Sequence, residues 1–140
     1  MNAASGRVLV TGGTGFIGSH LVELLVSRGY AVTCLVRDRS NIRWLEGLGV
    51  DLVEGDCSVP DSLRIAVRNA AIVFHVAGLT KARRTREYYE VNHRGTRNLL
   101  DACTRHDSGI RKFVLVSSLA AAGPGSEGHP VTDGDLPDPV

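Results

Sequence analysis

Several residue classes are scarce in this chain, and each scarcity closes off a reading. Lys plus Arg number 16 against 15 Asp plus Glu, a formal net charge of +1. No overall field therefore draws the chain to nucleic acid or to an anionic membrane. No apolar run approaches a membrane span, and the opening Met-Asn-Ala-Ala-Ser-Gly lacks the basic-then-apolar order of a signal peptide. Cysteine occurs only as Cys34, Cys57 and Cys103, odd in number and widely spaced, which argues against a disulfide framework and fits no metal motif. They read as reduced, mostly buried thiols of a cytoplasmic protein. With 43% hydrophobic and 22% charged residues over 140 positions, residues 1–140 form one ordinary globular domain.

Glycine, by contrast, is plentiful and placed with order. Residues 8 to 29 run V-L-V-T-G-G-T-G-F-I-G-S-H-L-V-E-L-L-V-S-R-G. Val8, Leu9 and Val10 suit a buried parallel strand. Ile17, Leu21, Leu24 and Leu25 fall at helical spacing and predict the inward face of a helix that Gly29 ends. Between them, Gly12 or Gly13 with Gly15 and Gly18 fits the turn of a dinucleotide pyrophosphate site. Such a turn lets backbone approach the phosphates, and the helix N-terminus offers them free N–H groups and a favourable dipole. Phe16 and Ile17, inside that turn, join the candidate binding set.

Strand-like and helix-like runs then alternate. Strands are predicted at 31–36, 51–54, 71–76 and 112–117, with helices at 61–69 and 86–105 and a short one at 41–48. The long helix would carry Tyr88, Asn92, Gly95, Leu99 and Cys103 along one face. Beyond Gly123 the chain is rich in Gly, Pro, Ser and Asp and reads as loop. Alternation with right-handed crossovers gives an α/β fold, a three-layer doubly wound parallel sheet in the order 3-2-1-4-5. An apolar fifth strand at the sheet's edge also makes a homo-oligomer an expected partner state.

Ligands of such sheets sit outside the carboxyl ends of the strands, and every suggestive residue falls there. The second strand ends at Val36, where an NAD site would place an acid, and Arg37 follows. A guanidinium matches a 2′-phosphate in charge and geometry, so NADP is the expected cofactor, with NAD the alternative. The opposing reading is a solvated charge paired with Asp38. Asp56, with Cys57 beside it, either accepts from an adenine amino group or caps the next helix. Ala77 and Gly78 follow the fourth strand, and Ser117 and Ser118 the fifth. His75, inside an apolar strand, reads as a satisfied core histidine. Asn92 and Gly95 suggest close helix–sheet packing, with the amide bonded to nearby backbone. Lys81, Arg83, Arg84 and Arg86 form the one basic run, either solvated or facing a phosphorylated substrate.

T-G-G-T-G-F-I-G-S-H-L, the G-D at 55–56, F-H-V-A-G, V-N-x-x-G-T-x-N-L-L and V-S-S-L-A-A-A-G occur in one order. Together they resemble the extended short-chain dehydrogenase/reductases, in particular the NAD-dependent epimerase/dehydratase group. The resemblance implies a Rossmann cofactor domain binding a nicotinamide dinucleotide. It also implies a small-molecule substrate such as a nucleotide sugar, a sterol or another ketone or alcohol. It assigns Gly12, Gly15 and Gly18 to the pyrophosphate and Asp56 to adenine. Ala77 and Gly78 fall on the nicotinamide side, and Ser118 matches the catalytic Ser/Thr.

Two departures stand out. Val59 stands where the family often has a second Asp. The family's Tyr-x-x-x-Lys is absent, since no lysine lies four residues after Tyr30, Tyr88 or Tyr89. The chain is therefore expected to be the front part of such an enzyme, ending before the tyrosine and the substrate region. The rival readings are a non-catalytic nicotinamide-nucleotide sensor and an inactive fragment.

Overall fold

The fold comes from a computed structural model that describes residues 6–106 and 109–139. Five parallel strands form one sheet: β1 (Arg7–Thr11), β2 (Ala31–Val36), β3 (Asp51–Glu54), β4 (Ala70–His75) and β5 (Lys112–Leu115). Their order is β3-β2-β1-β4-β5, the doubly wound arrangement expected from the alternation. β4 begins one residue early and stops at His75, and β5 stops at Leu115. The next residue after each of these strands, Val76 and Val116, still donates, to the Thr11 and His75 carbonyls respectively.

Alternation along the buried strands splits the core in two. Val8 and Val10 of β1, with Val32, Cys34 and Val36 of β2, pack against Val22 and Leu25 of α1 (Phe16–Ser27). Leu9, Leu35 and Val73 point to the other face. There they meet Leu63, Ala66 and Val67 of α2 (Leu63–Val67) and Leu99 and Ala102 of α4 (Gly95–Arg105). A period of two on a strand buried on both sides requires this division.

The inward face of α1 differs from the one its apolar spacing predicts. Gly18, Ser19, Val22 and Leu25 are buried, whereas Ile17 is 59% and Leu24 50% exposed. The contact of Gly18 with the turn below sets the rotation of the helix, and apolar side chains off that line are left outside. The short helix predicted at 41–48 is also absent. A 3-10 turn at Arg39–Asn41 and hydrogen-bonded turns through Leu45 take its place, and Leu45 alone there is fully buried. The helix predicted at 61–69 is a 3-10 turn, Pro60–Ser62, followed by the five residues of α2.

The long helix runs as α3 (Thr85–Tyr88), a π-helical segment (Tyr89–Arg94) and α4. Residues 123–139 carry no helix or strand, only an isolated bridge between Ser126 and His129. The three thiols are free; Cys34 is buried and the other two partly so. Burial pushes Cys34 up to about 12, and Cys57 and Cys103 to about 11. Among the described residues no helix is long and apolar enough to cross a membrane, and no strand covers the outer edge of β5.

Leu9 is fully buried on the central strand. Leu9→Ala should therefore lower unfolding free energy by about 2–5 kcal/mol, from lost transfer energy plus a residual cavity. Urea denaturation measures this, and a loss below about 1 kcal/mol would mean the core collapses around the gap.

Candidate functional site

The glycine turn is held by backbone packing. Gly12 has φ of +73°, and a Cβ there would lie 2.6 Å from the Ala77 nitrogen. A Cβ on Gly18 would overlap the Gly12 carbonyl oxygen. Those two glycines are required by the protein itself. Gly15 is different. It is exposed, its φ is −85°, and a Cβ there would meet only the Gly12 oxygen at 3.3 Å. A side chain at 15 would press on that backbone oxygen, so packing inside the chain disfavours one there too, though less severely than at 12 or 18.

The Gly15 amide donates to the Gly12 carbonyl at 3.0 Å and its own carbonyl accepts from Ser19 at 2.9 Å, closing the turn into α1. No side chain caps α1 and no acid stands in its first turn. The first N–H groups and the positive end of the dipole thus face outward. Phe16, 79% exposed, and Ile17 flank them as apolar surface.

Beside this turn lies a shallow depression of about 320 Å³ lined by Thr14, Arg37, Asp38 and Asn41. Arg37 has no ion pair or side-chain hydrogen bond among the described residues, so the pairing with Asp38 does not form. Asp38 instead accepts from the Ser40 amide at 2.8 Å and the Ser40 hydroxyl at 2.7 Å. These bonds hold its carboxyl below the usual range. Arg39 turns away, donating to the Leu52 carbonyl at 3.0 Å and facing Glu54 at 3.9 Å. One guanidinium is left over.

Asp56 does not cap the following helix, whose N-terminal side carries no side-chain cap. Its Oδ1 accepts from the Ser58 amide at 2.7 Å and the Ser58 hydroxyl at 2.8 Å. Its Oδ2 makes no hydrogen bond among the described residues. Cys57 offers its carbonyl to Asn98 Nδ2 at 2.8 Å, and its Cβ lies against Gly95, where any side chain would be tight at 3.2 Å. The close packing expected of Gly95 is therefore against the loop after β3.

At the end of β4, Ala77 donates to Thr11 Oγ1 at 3.2 Å, and Gly78 is exposed. Asn92 grips Leu79 twice: Oδ1 accepts the Leu79 amide at 2.7 Å, and Nδ2 donates to its carbonyl at 3.0 Å. His75 is fully buried and bonded on both ring nitrogens, to Thr11 at 2.6 Å and Thr96 at 2.9 Å.

A family model for the NAD-dependent epimerase/dehydratase family matches residues 8–140. The chain belongs to that family. It is 37% identical over 136 residues to human 3 beta-hydroxysteroid dehydrogenase type 7, covering 91% of this chain and 36% of that protein. It is 40% identical over 121 residues to ceramide reductase of Caulobacter vibrioides, covering 86% of this chain and 37% of that protein. Among solved structures, the UDP-glucose 4-epimerase of Thermus thermophilus, in complex with NAD, superposes with a TM-score of 0.82 at 35% identity. That match covers 95% of this chain and 44% of the epimerase. The chain thus spans well under half the length of each of these relatives.

Within the family frame, the turn, the depression at Arg37, Asp56 and the Ala77–Gly78 strip all follow the carboxyl ends of β1, β2, β3 and β4. Ser117 and Ser118 follow β5 on the same edge. Both are exposed, and the Ser118 hydroxyl accepts from the Ala120 amide at 3.2 Å, capping the turn Leu119–Ala121. In the basic run, Arg86 pairs with Glu90 at 3.7 Å and the Arg83 amide donates to Glu87. Sequence reasoning missed Thr14, Asn41, Thr11, Thr96 and Asn98. The last two lie in the family's V-N-x-x-G-T-x-N motif, which was legible, but nothing in one dimension shows their partners.

Burial holds the His75 pKa below its ordinary 6.5. As pH falls below that value the unfolded chain takes up a proton that the folded chain refuses. Stability is therefore full above about 6.5 and falls with pH by at most about 1.4 kcal/mol per unit down to the depressed folded value. Denaturation at successive pH values should show this slope, reduced in His75→Phe.

Proposed function

We propose that this chain forms the nucleotide-binding portion of an NAD(P)-dependent oxidoreductase or epimerase/dehydratase, and that it prefers NADP(H). The unpaired Arg37 on the depression beside Thr14 carries the preference. Arg39 and Asp38 are committed elsewhere, so Arg37 alone is free to meet a phosphate on the adenosine ribose. The residues fit the cofactor. Gly12 and Gly18 shape the turn, Gly15 leaves room for close approach, and the outward N–H groups of α1 suit a pyrophosphate. Phe16 and Ile17 present apolar surface beside it. Asp56, with Cys57 adjacent, has a carboxylate oxygen available for an adenine amino group. Ala77 and Gly78 lie at the nicotinamide end, with Ser117 beyond them.

When bound, the cofactor would exchange a hydride with a substrate carbon carrying a hydroxyl or ketone. The chain's own contribution there is Ser118, whose hydroxyl accepts from the Ala120 amide and keeps its hydrogen to orient that oxygen. Similarity to a hydroxysteroid dehydrogenase, a ceramide reductase and a UDP-glucose 4-epimerase supports this substrate class.

Titration calorimetry should find NADP⁺ bound more tightly than NAD⁺. Arg37→Ala should weaken NADP⁺ selectively, by about tenfold or more for a lost charge-assisted contact. Equal or tighter binding of NAD⁺ by the unaltered chain would refute the preference.

Turnover should be absent from the 140-residue chain. It holds no tyrosine with a lysine four residues on, and acid–base assistance contributes about 10²- to 10⁴-fold. NADPH absorbance followed with a panel of ketones should stay at background. Robust oxidation that disappears in Ser118→Ala would show a different proton donor within this sequence.

A further inference from the structure

We propose that His75 is a positioning residue of the nucleotide site, a neutral ring protonated on Nε2 that fixes the Ala77–Leu79 backbone against the glycine turn. The inference rests on the nucleotide-binding reading above and adds a residue to it. His75 touches no solvent and lies one strand register from the turn, with Thr11 directly beside it on β1.

The direction of every proton in this seam follows from its two ends. At one end is the Ala77 amide, which can only donate; it gives to Thr11 Oγ1 at 3.2 Å. At the other is the Asn92 carbonyl, which can only accept; it takes the Thr96 hydroxyl at 2.6 Å. Thr96 has then spent its hydrogen, so at 2.9 Å it must accept from His75 Nε2–H. Nδ1 of the neutral ring is a bare acceptor, and Thr11 donates to it at 2.6 Å. Four hydrogens fill four bonds in one continuous line. The other tautomer would leave Nε2 facing a spent hydroxyl and the Thr11 hydrogen without an acceptor. A second ring proton would likewise leave the Thr11 hydrogen without its acceptor at Nδ1.

Asn92 completes the device. Its carbonyl ends the line, and its side-chain amide clamps both polar groups of Leu79 at 2.7 and 3.0 Å. Ala77 and Leu79 are therefore anchored to the two ends of one chain of bonds, with exposed Gly78 strung between them. The same Ala77 nitrogen is where a Cβ on Gly12 would collide. Strip and turn form one rigid unit, and His75 is its central link. A ring that merely filled the core would need neither nitrogen placed in this way.

The test uses the 140-residue chain, NADP⁺ and 2′,5′-ADP, which contains only the adenosine half of the cofactor. In ¹⁵N-labelled protein His75 should show the Nε2–H tautomer, and the Ala77 and Leu79 amides should exchange slowly. Thr96→Val, which cuts the far end without touching the turn, should speed exchange at both amides. His75→Phe should weaken NADP⁺ by about tenfold while 2′,5′-ADP stays within about twofold, the scale of one lost buried link. His75→Gln, which keeps a donor toward Thr96, should recover part of the loss. An Nδ1–H tautomer would overturn the proposal, as would equal weakening of both ligands in His75→Phe or Thr96→Val. If the unaltered chain binds neither ligand, the nucleotide reading fails instead, while the tautomer and the exchange in Thr96→Val still judge the link.

Discussion

Gly18 rides so close over the Gly12 carbonyl that a side chain there would overlap it, and Gly12 in turn rests on the Ala77 amide. Both ends of the glycine turn and the distant end of β4 thus meet at the level of backbone. Contacts of this kind have no rotamers through which to relax, so they fix the angle and rotation of α1 as it leaves the sheet. Val22 and Leu25 then fall inward by helical period, four and seven residues after Gly18. The two core halves follow from the same constraint, because α1 can cover only the face presented by Val8, Val10 and Cys34.

The buried polar groups are arranged around this contact. Thr11, Ser19 and His75 are all buried near the turn, whereas Thr33, also buried, accepts from Arg7 toward the other end of the sheet. Leaving one such group without a partner costs about 1–3 kcal/mol, so a seam this deep is tolerable only if each member is satisfied. The π-helical segment at Tyr89–Arg94 takes part in meeting that condition. Asn92 lies inside it and Thr96 just after it. Between them they deliver a carbonyl, an amide and a hydroxyl to β4 and the loop beyond, while Leu99 still enters the core. An extra backbone residue per turn, confined to one stretch, is a known accompaniment of functional sites.

The sheet was legible because its physics is one-dimensional. Short β-branched runs separated by turn signals and helical spacing admit few topologies, and right-handed crossovers leave the order found here. Positions on the carboxyl edge followed directly from that order. What could not be read were relations set by contact. Ile17 and Leu24 are apolar and correctly spaced, but the glycine contact outranks their spacing, and 12 residues are too few for periodicity to show it. Residues 41–48 have helical spacing too, yet the segment only needs to lay Leu45 on the sheet, and turns suffice. The freedom of Arg37 depended on where Asp38 and Arg39 turned, which sequence neighbours do not decide. His75 was legible as satisfied, but its partners come from strands and a helix 64 and 21 residues away.

The two ends of the candidate site differ in how they are held. From Gly12 to Leu79 the geometry is set by backbone packing, buried hydroxyls and a doubly bonded amide, which is how a rigid first layer is supported by a second. After β5 there is no such support among the described residues. Ser117 and Ser118 are exposed, and the Ser118 hydroxyl is held only by the amide of a neighbouring turn, from which it accepts. Leu119 beside them is 90% exposed, although burying a leucine side chain is worth about 1.5–3 kcal/mol. An apolar side chain thus stands in water next to a polar pair at the outer edge of the sheet. The proposed nucleotide end is held by contacts among the described residues. At the proposed reactive end the serines lie on the same sheet edge, held among the described residues by a single hydrogen bond.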